Sequence, residues 1–326
     1  MKSICERLVR AVAASCVIAV CGAALAQSSY PDRPVRIIVP FTPGGGNDVL
    51  ARVVAAKLTE RWKQPVLVEN RPGAGGNIGA DLVAKAPPDG YTILVGANQL
   101  AMVPWFYAKL PFDVQKDFKA ITQMASTPMM LAVHNNLPIK SVAELIAYAR
   151  ANPGKLAFAT PGNGTPQHLS TEMFMSMTGV NMLHIPYKGA APGWAALMSG
   201  EVGVHFGALN SALGLARAGK IRIIATGSTQ RVSMLPEVPT VAEAGVPGYD
   251  ADVWYALFAT GGTPDDIINR FNDGVVKVME MPEVRSLLNG QGFEVATNTP
   301  QAMTATLKRD LERWGKVIKA AGIAPQ

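Results

Sequence analysis

Three loops carry the residues best suited to hold a ligand. They are Thr42-Pro43-Gly44-Gly45-Gly46-Asn47-Asp48, Arg71-Pro72-Gly73-Ala74-Gly75-Gly76-Asn77-Ile78-Gly79 and Thr160-Pro161-Gly162-Asn163-Gly164-Thr165-Pro166. Each follows an apolar run of strand length and leads into helical spacing. A glycine loop feeding a helix N-terminus presents backbone N–H groups at the positive end of the helix dipole, a setting for a carboxylate or a phosphate. In open α/β sheets ligands bind at the carboxyl ends of strands, where such loops lie. One such loop alone is more often a plain tight turn; three in the same context favour binding.

The loops do not spell a nucleotide site. A P-loop ends in Gly-Lys-Ser/Thr, which is absent, and the G-x-G-x-x-G pattern fails at Val49 in the first loop and at Ile78 in the second. Glu69 does stand about where a ribose-binding acid would. Catalytic sets are equally missing: there is no G-x-S-x-G elbow and no H-E-x-x-H helix. The four histidines, His134, His168, His184 and His205, have no metal-ligand spacing. His184 and His205 lie in apolar strand runs and read as core or rim residues. Asp48 would repel an anion if it faced inward, so it reads as stabilising the first helical turn from outside.

These loops need a framework, and the composition supports one. The chain has 326 residues, 48% hydrophobic and 17% charged. That length suggests two domains, and that composition excludes disorder. Lys2, Arg7 and Arg10 followed by the small and apolar residues 11–26, ending Ala24-Leu25-Ala26, have the form of a cleaved secretory signal. Its removal takes all three cysteines, Cys5, Cys16 and Cys21, and lowers the net charge from +6 to +4. A thiol-free exported chain has no redox chemistry, and a mild, dispersed positive charge excludes a nucleic-acid footprint. The uncharged stretches 91–108 and 120–139 are broken by Pro, Asn and Gln and read as buried strand plus loop.

Strand and helix signals alternate. Val35–Val39 is a β-branched run, followed after the first loop by Leu50, Val53, Val54, Leu58 and Trp62 on one helical face. Further strands are expected at 65–68, 92–95, 156–159, 182–185, 202–206 and 221–225. Ser141 to Glu144 and Thr240 to Glu243 are capping boxes. Thr263-Pro264 and Thr299-Pro300 read as N-cap plus first helical residue, and a last amphipathic helix runs from Met303 and ends at Gly322. This pattern predicts an α/β fold with mainly parallel sheets in two lobes.

The first two loops extend into longer motifs: Val39-Pro40-Phe41 runs into the first, and Val68-Glu69-Asn70 into the second. With Tyr30-Pro31-Asp32-Arg33-Pro34, Pro88-Asp89-Gly90-Tyr91-Thr92, Pro186-Tyr187-Lys188-Gly189, the run from Pro236 to Gly245 and Trp314-Gly315-Lys316-Val317, they resemble the tripartite tricarboxylate transporter substrate-binding family, the Bug receptors. The resemblance covers essentially the whole chain after the signal. It implies a two-lobed α/β periplasmic binding protein, type II-like, with a ligand cleft between lobes and crossover strands near 125–130 and 249–257. Lobe I would comprise 27–126 plus 252–326 and lobe II 127–251. The implied function is that of a monomeric receptor that closes around a small carboxylate by hinge motion and delivers it to a two-subunit membrane permease, without cofactor, metal, nucleic acid or catalysis. A partner of a membrane sensor needs the same cleft and stays open as an alternative; an exported enzyme acting on a carboxylate is the less favoured one.

The resemblance also assigns ligand contacts. The first loop supplies Phe41, Thr42, Pro43, Gly44, Gly45, Gly46, Asn47 and Asp48, and the third loop supplies Gly162, Asn163, Gly164 and Thr165. Asn98 would face the same cleft, while 73–79 would pack lobes together. Thr165 has a competing duty as N-cap before Pro166. Two departures bear on the ligand: Asn47 stands where many members have Thr, and Gly207-Ala208 replace an Asp-Asn pair able to meet an amine. The expected ligand is therefore a carboxylate without an ammonium group, unless Asp252 supplies the missing acid. Trp105, Phe106, Trp194 and Trp254 either line the far end of the cleft or belong to the core, and the core is favoured.

Overall fold

Strand β1, Val35–Val39, is buried at nearly every position, as a strand covered by helices on both faces must be. The computed structural model describes residues 30–320 and residue 323. The expected signal at 1–26 and the helix end at Gly322 lie outside these residues. Strands β2 (Val66–Asn70) and β3 (Thr92–Ala97) flank β1, both parallel to it. A second parallel set comprises β5 (Ala157–Thr160), β6 (Leu183–Pro186) and β7 (Val204–Ala208).

Two long strands join these sets. β4 (Phe118–Val133) pairs antiparallel with β9 (Asp252–Thr260) as far as Pro128, and from Met129 it pairs with β7 and with β8 (Arg222–Thr226) instead. Proline has no N–H to donate, so a change of partners at Pro128 leaves no ladder bond broken. The returning chain runs alongside: Gly227 N–H donates to the Met129 carbonyl and Ala251 N–H to that of Gly227, both at 2.7 Å. β9 then inserts between β3 and β4, giving the order β2-β1-β3-β9-β4-β7-β5-β6, with β10 (Glu294–Val295) also on β4. The sheet is thus mixed rather than mainly parallel, because the crossing strands run antiparallel through its middle.

Helices cover both wings: α1 (Gly46–Trp62), α2 (Asn77–Ala84), α3 (Gln99–Phe106), α4 (Val142–Ala151), α5 (Pro166–Thr178), α6 (Ala190–Ser199), α7 (Leu209–Arg217), α8 (Asp265–Met279), α9 (Pro282–Gly290) and α10 (Pro300–Ala320). On α1, Leu50, Val54 and Leu58 are fully buried. On α10 the buried stripe is Met303, Leu307, Leu311, Trp314 and Ile318, each such side chain contributing roughly 1.5–3 kcal/mol on burial. One apolar cluster gathers around Leu94, Phe106, Phe258 and α10; another gathers around Met130, Trp194, Leu197 and Leu213.

Local chemistry departs from expectation at three places. Residues 91–108 hold β3 followed by α3, not strand plus loop: Pro104 sits inside the helix, and the helix is buried nearly all round, which leaves no amphipathic period to read. The Thr240–Glu243 box closes reciprocally, with both bonds at 3.0 Å. No helix follows, since Gly245 (φ +109°) and Pro247 turn the chain at once. Pro264 is the N-cap of α8 rather than its first residue, while Thr263 bonds back to the Thr260 carbonyl.

Candidate functional site

The first loop ends β1 and starts α1. Gly45 is its N-cap and has no side chain to cap with, so the first-turn N–H groups of Gly46 and Asn47 stay open. Glycine is required at 46 because a Cβ there would overlap the Tyr255 hydroxyl beneath it. Asn47 donates its Nδ2 to the Val95 carbonyl at 3.1 Å, tying α1 to β3. Asp48 is turned away: it accepts from Gly44 N–H at 3.1 Å, from Asn70 Nδ2 at 2.9 Å and from two Arg52 nitrogens at 3.0 and 2.9 Å. Burial alone would raise its pKa, but these bonds and the Arg52 charge outweigh burial and hold the carboxyl below its ordinary value.

Four further helices begin around the same space. α3 starts with Gln99, α6 with Ala190 after the N-cap Gly189, and α7 with Leu209 after Ala208; none of the three has a side-chain cap. α5 differs: the Thr165 hydroxyl accepts from His168 N–H at 3.4 Å and donates to the Gly162 carbonyl at 2.7 Å, so its bonding is spent on the cap. First-turn residues of all five helices line one cavity. Each N-terminus carries about half a positive elementary charge. No lining residue is acidic, basic or histidine. The cavity and its mouth hold about 430 Å³ of unfilled space, part of it open to solvent. It is a slot lined by residues from both wings of the sheet.

Of the residues singled out in the sequence, Phe41, Gly45, Gly46 and Asn47 line this slot. Pro43 and Gly44 are exposed. Thr42 has its N–H directed at the Lys188 carbonyl at 3.4 Å. Asn98 gives its Nδ2 to the Asp252 carbonyl at 2.9 Å, and the next residue, Gln99, enters the slot instead. Gly162 and Asn163 line a neighbouring opening with Phe41, Gly75 and Lys188. There a Cβ on Gly75 would overlap the Asn163 carbonyl, so the second glycine loop lies directly on the third. Gly164, at φ +69°, packs on Phe106 and Tyr107. Gly207 is buried under Trp194, and the Asp252 side chain opens onto a separate hollow beside Thr127 and Glu294. Trp194 and Trp254 are core residues, and Trp105 is 44% exposed outside the slot.

Sequence reasoning missed Gln99 and Tyr255, which lie at the carboxyl end of β3 and on crossing strand β9. It also missed a histidine stack behind the third loop. His168 and His184 rings lie 4.0 Å apart and nearly parallel. Gly164 N–H donates to His168 Nδ1 at 3.3 Å, and Thr160 Oγ1 meets His184 Nε2 at 2.6 Å.

A sequence profile described as tripartite tricarboxylate transporter family receptor matches residues 50–323. BugT of Bordetella pertussis is 35% identical over 92% of this chain and 93% of its own length. The solved structure of R. palustris Rpa4515 with adipate superposes with a TM-score of 0.88 at 39% identity, covering 91% of this chain and all of that one. MatC from Rhodopseudomonas palustris with bound malate gives 0.84 at 31% identity, covering 89% of this chain and all of that one. Among the described residues no helix is long and apolar enough to cross a membrane. On these grounds the chain belongs to the tripartite tricarboxylate transporter receptor family, whose members are solute-binding receptors and not enzymes.

Proposed function

We propose that this chain is a periplasmic receptor that encloses a small carboxylate between its lobes and hands it to a two-subunit permease of the tripartite tricarboxylate type. The observation that carries the reading is the convergence of five helix N-termini on a slot lined by no charged side chain. Oriented N–H dipoles stabilise an anion without a counter-cation, and they repel an ammonium group. The adipate and malate seen in the two related structures fit that chemistry.

Lobe I is assigned to 27–126 plus 252–326 and lobe II to 127–251, a division supported by the partner change of β4 at Pro128 and the start of β9 at Asp252. The seam contacts at Thr42 and Gly75 close the slot, so a ligand enters when the lobes part about the paired crossing strands. The test is uptake of a radiolabelled dicarboxylate in cells deleted for this chain and for the permease in turn. Both deletions are expected to abolish high-affinity uptake of the same acid; unchanged uptake in either refutes the delivery role.

A further inference from the structure

Gln99 is 2% exposed and lines the slot. Its Oε1 accepts the Ala97 N–H at 2.7 Å, which fixes the orientation of the amide, since the flipped form would set two donors against each other. The other end, Nε2, is buried and meets no acceptor among the protein atoms. Buried donors left unpaired are rare. Neighbouring donors are already engaged: Asn98 Nδ2 with the Asp252 carbonyl, Asn47 Nδ2 with the Val95 carbonyl, and Ser211 Oγ with the Ala208 carbonyl, while Asn98 Oδ1 is buried without a partner among the described residues.

We propose that Gln99 reads an oxygen acceptor on the bound ligand and makes the slot reject a ligand that presents an ammonium group at that point. The proposal rests on the carboxylate-receptor reading above and adds the residue that enforces selection. An amide locked by Ala97 turns only its donor end to the slot, beside the N-terminus of α3, so an ammonium set against it meets a donor.

Titration calorimetry on wild type, Gln99→Glu and Gln99→Met tests this at pH 8 and pH 6, using the tightest binder among adipate, malate and succinate. Glu keeps the acceptor for Ala97 N–H and puts an oxygen where Nε2 stood. Its affinity is expected to fall at least about 100-fold at pH 8, with the loss shrinking at pH 6 as the buried carboxyl takes a proton and donates again. Met, similar in size but without donors, is expected to lose about 10- to 100-fold equally at both pH values. Thermal melts of the ligand-free variants check that each folds. Affinity of Gln99→Glu within about three-fold of wild type at pH 8 overturns the assignment and leaves the receptor reading intact. Loss in Gln99→Glu that is the same at both pH values, with none in Gln99→Met, also overturns it. Wild type that binds none of the three acids or any other carboxylate removes the receptor reading, and this proposal with it.

Discussion

Thr42, just after β1, and Gly189, just before α6, meet so closely that a Cβ on Gly189 would overlap Thr42 Oγ1. The adjoining Thr42 N–H points at the Lys188 carbonyl. Gly189 has φ 160°, extended backbone that alanine also adopts. Under the proposed hinge closure, alanine there is penalised only in the closed state. Gly189→Ala is expected to weaken ligand binding by about 1–3 kcal/mol while leaving the melting temperature of the ligand-free protein unchanged. Adding Thr42→Gly should restore affinity. Calorimetry on the single and double variants checks both statements.

Gly207 is closed in by the Trp194 ring, which itself donates to Ser211 Oγ at 2.9 Å. An aspartate at this position would displace the indole and bury a charge with no partner. Gly207→Asp should destabilise the protein by about 3 kcal/mol or more, read as a lower urea midpoint. An acid cannot be restored here without rebuilding the Trp194 contact.

Stability should fall on mild acidification because of histidine. His205 is fully buried, bonded through Nδ1 to the Ala159 carbonyl at 2.8 Å and unpartnered at Nε2. Burial holds it down to about 4, against a smaller opposing effect of the Ala159 bond. Burial and the adjacent His168 hold His184 down to about 3. A base depressed in the folded state takes up its proton on unfolding, so stability is full above 6.5 and declines as pH falls toward 4, below which the His205 contribution levels off. For His205 the loss is about 3 kcal/mol. His205→Asn, which keeps a donor for Ala159, is expected to flatten part of that decline in urea denaturation at pH 4.5 and 7.5.

Asp48 acts in the same direction at lower pH. Its carboxyl is held below the ordinary value of 3.8, so the stability it adds is present above that pH and is lost as pH falls through its lower folded value. Asp48→Ala removes the acceptor of Gly44 N–H and Asn70 Nδ2 and should cost about 1–3 kcal/mol at pH 7. The gap from wild type should narrow below pH 3.8. Denaturation at pH 7 and pH 3 measures it.

How much of this was legible depended on locality. The β1–α1 loop could be read because a β-branched run, consecutive glycines and a helical stripe follow one another in Val35–Val39, Gly44 to Gly46 and Leu50 to Leu58. The strand–helix alternation and the crossings near Pro128 and Asp252 were legible as well, the latter through resemblance. Gln99 was not, because α3 is apolar nearly all round and contains Pro104, so nothing in its spacing announces a helix start. Tyr255 reaches the slot only because β9 inserts between β3 and β4, a pairing no local pattern encodes. The Thr165 hydroxyl serves a cap and Asn98 Nδ2 a crossing strand, bonds that residue type alone does not announce.

The central claim is that neutral N–H dipoles in an uncharged slot bind a carboxylate. Its most direct test is a thermal-shift screen of the protein against mono-, di- and tricarboxylates, aromatic acids, acidic amino acids and amines. At about a thousand times its dissociation constant, a ligand adds roughly 4 kcal/mol, which for a chain of this size is a rise of about 1.5 °C per kcal/mol. The account predicts a rise of several degrees with a small aliphatic carboxylate and none with amines. A rise with an amine or an amino acid alone, and none with any simple carboxylate, would contradict it.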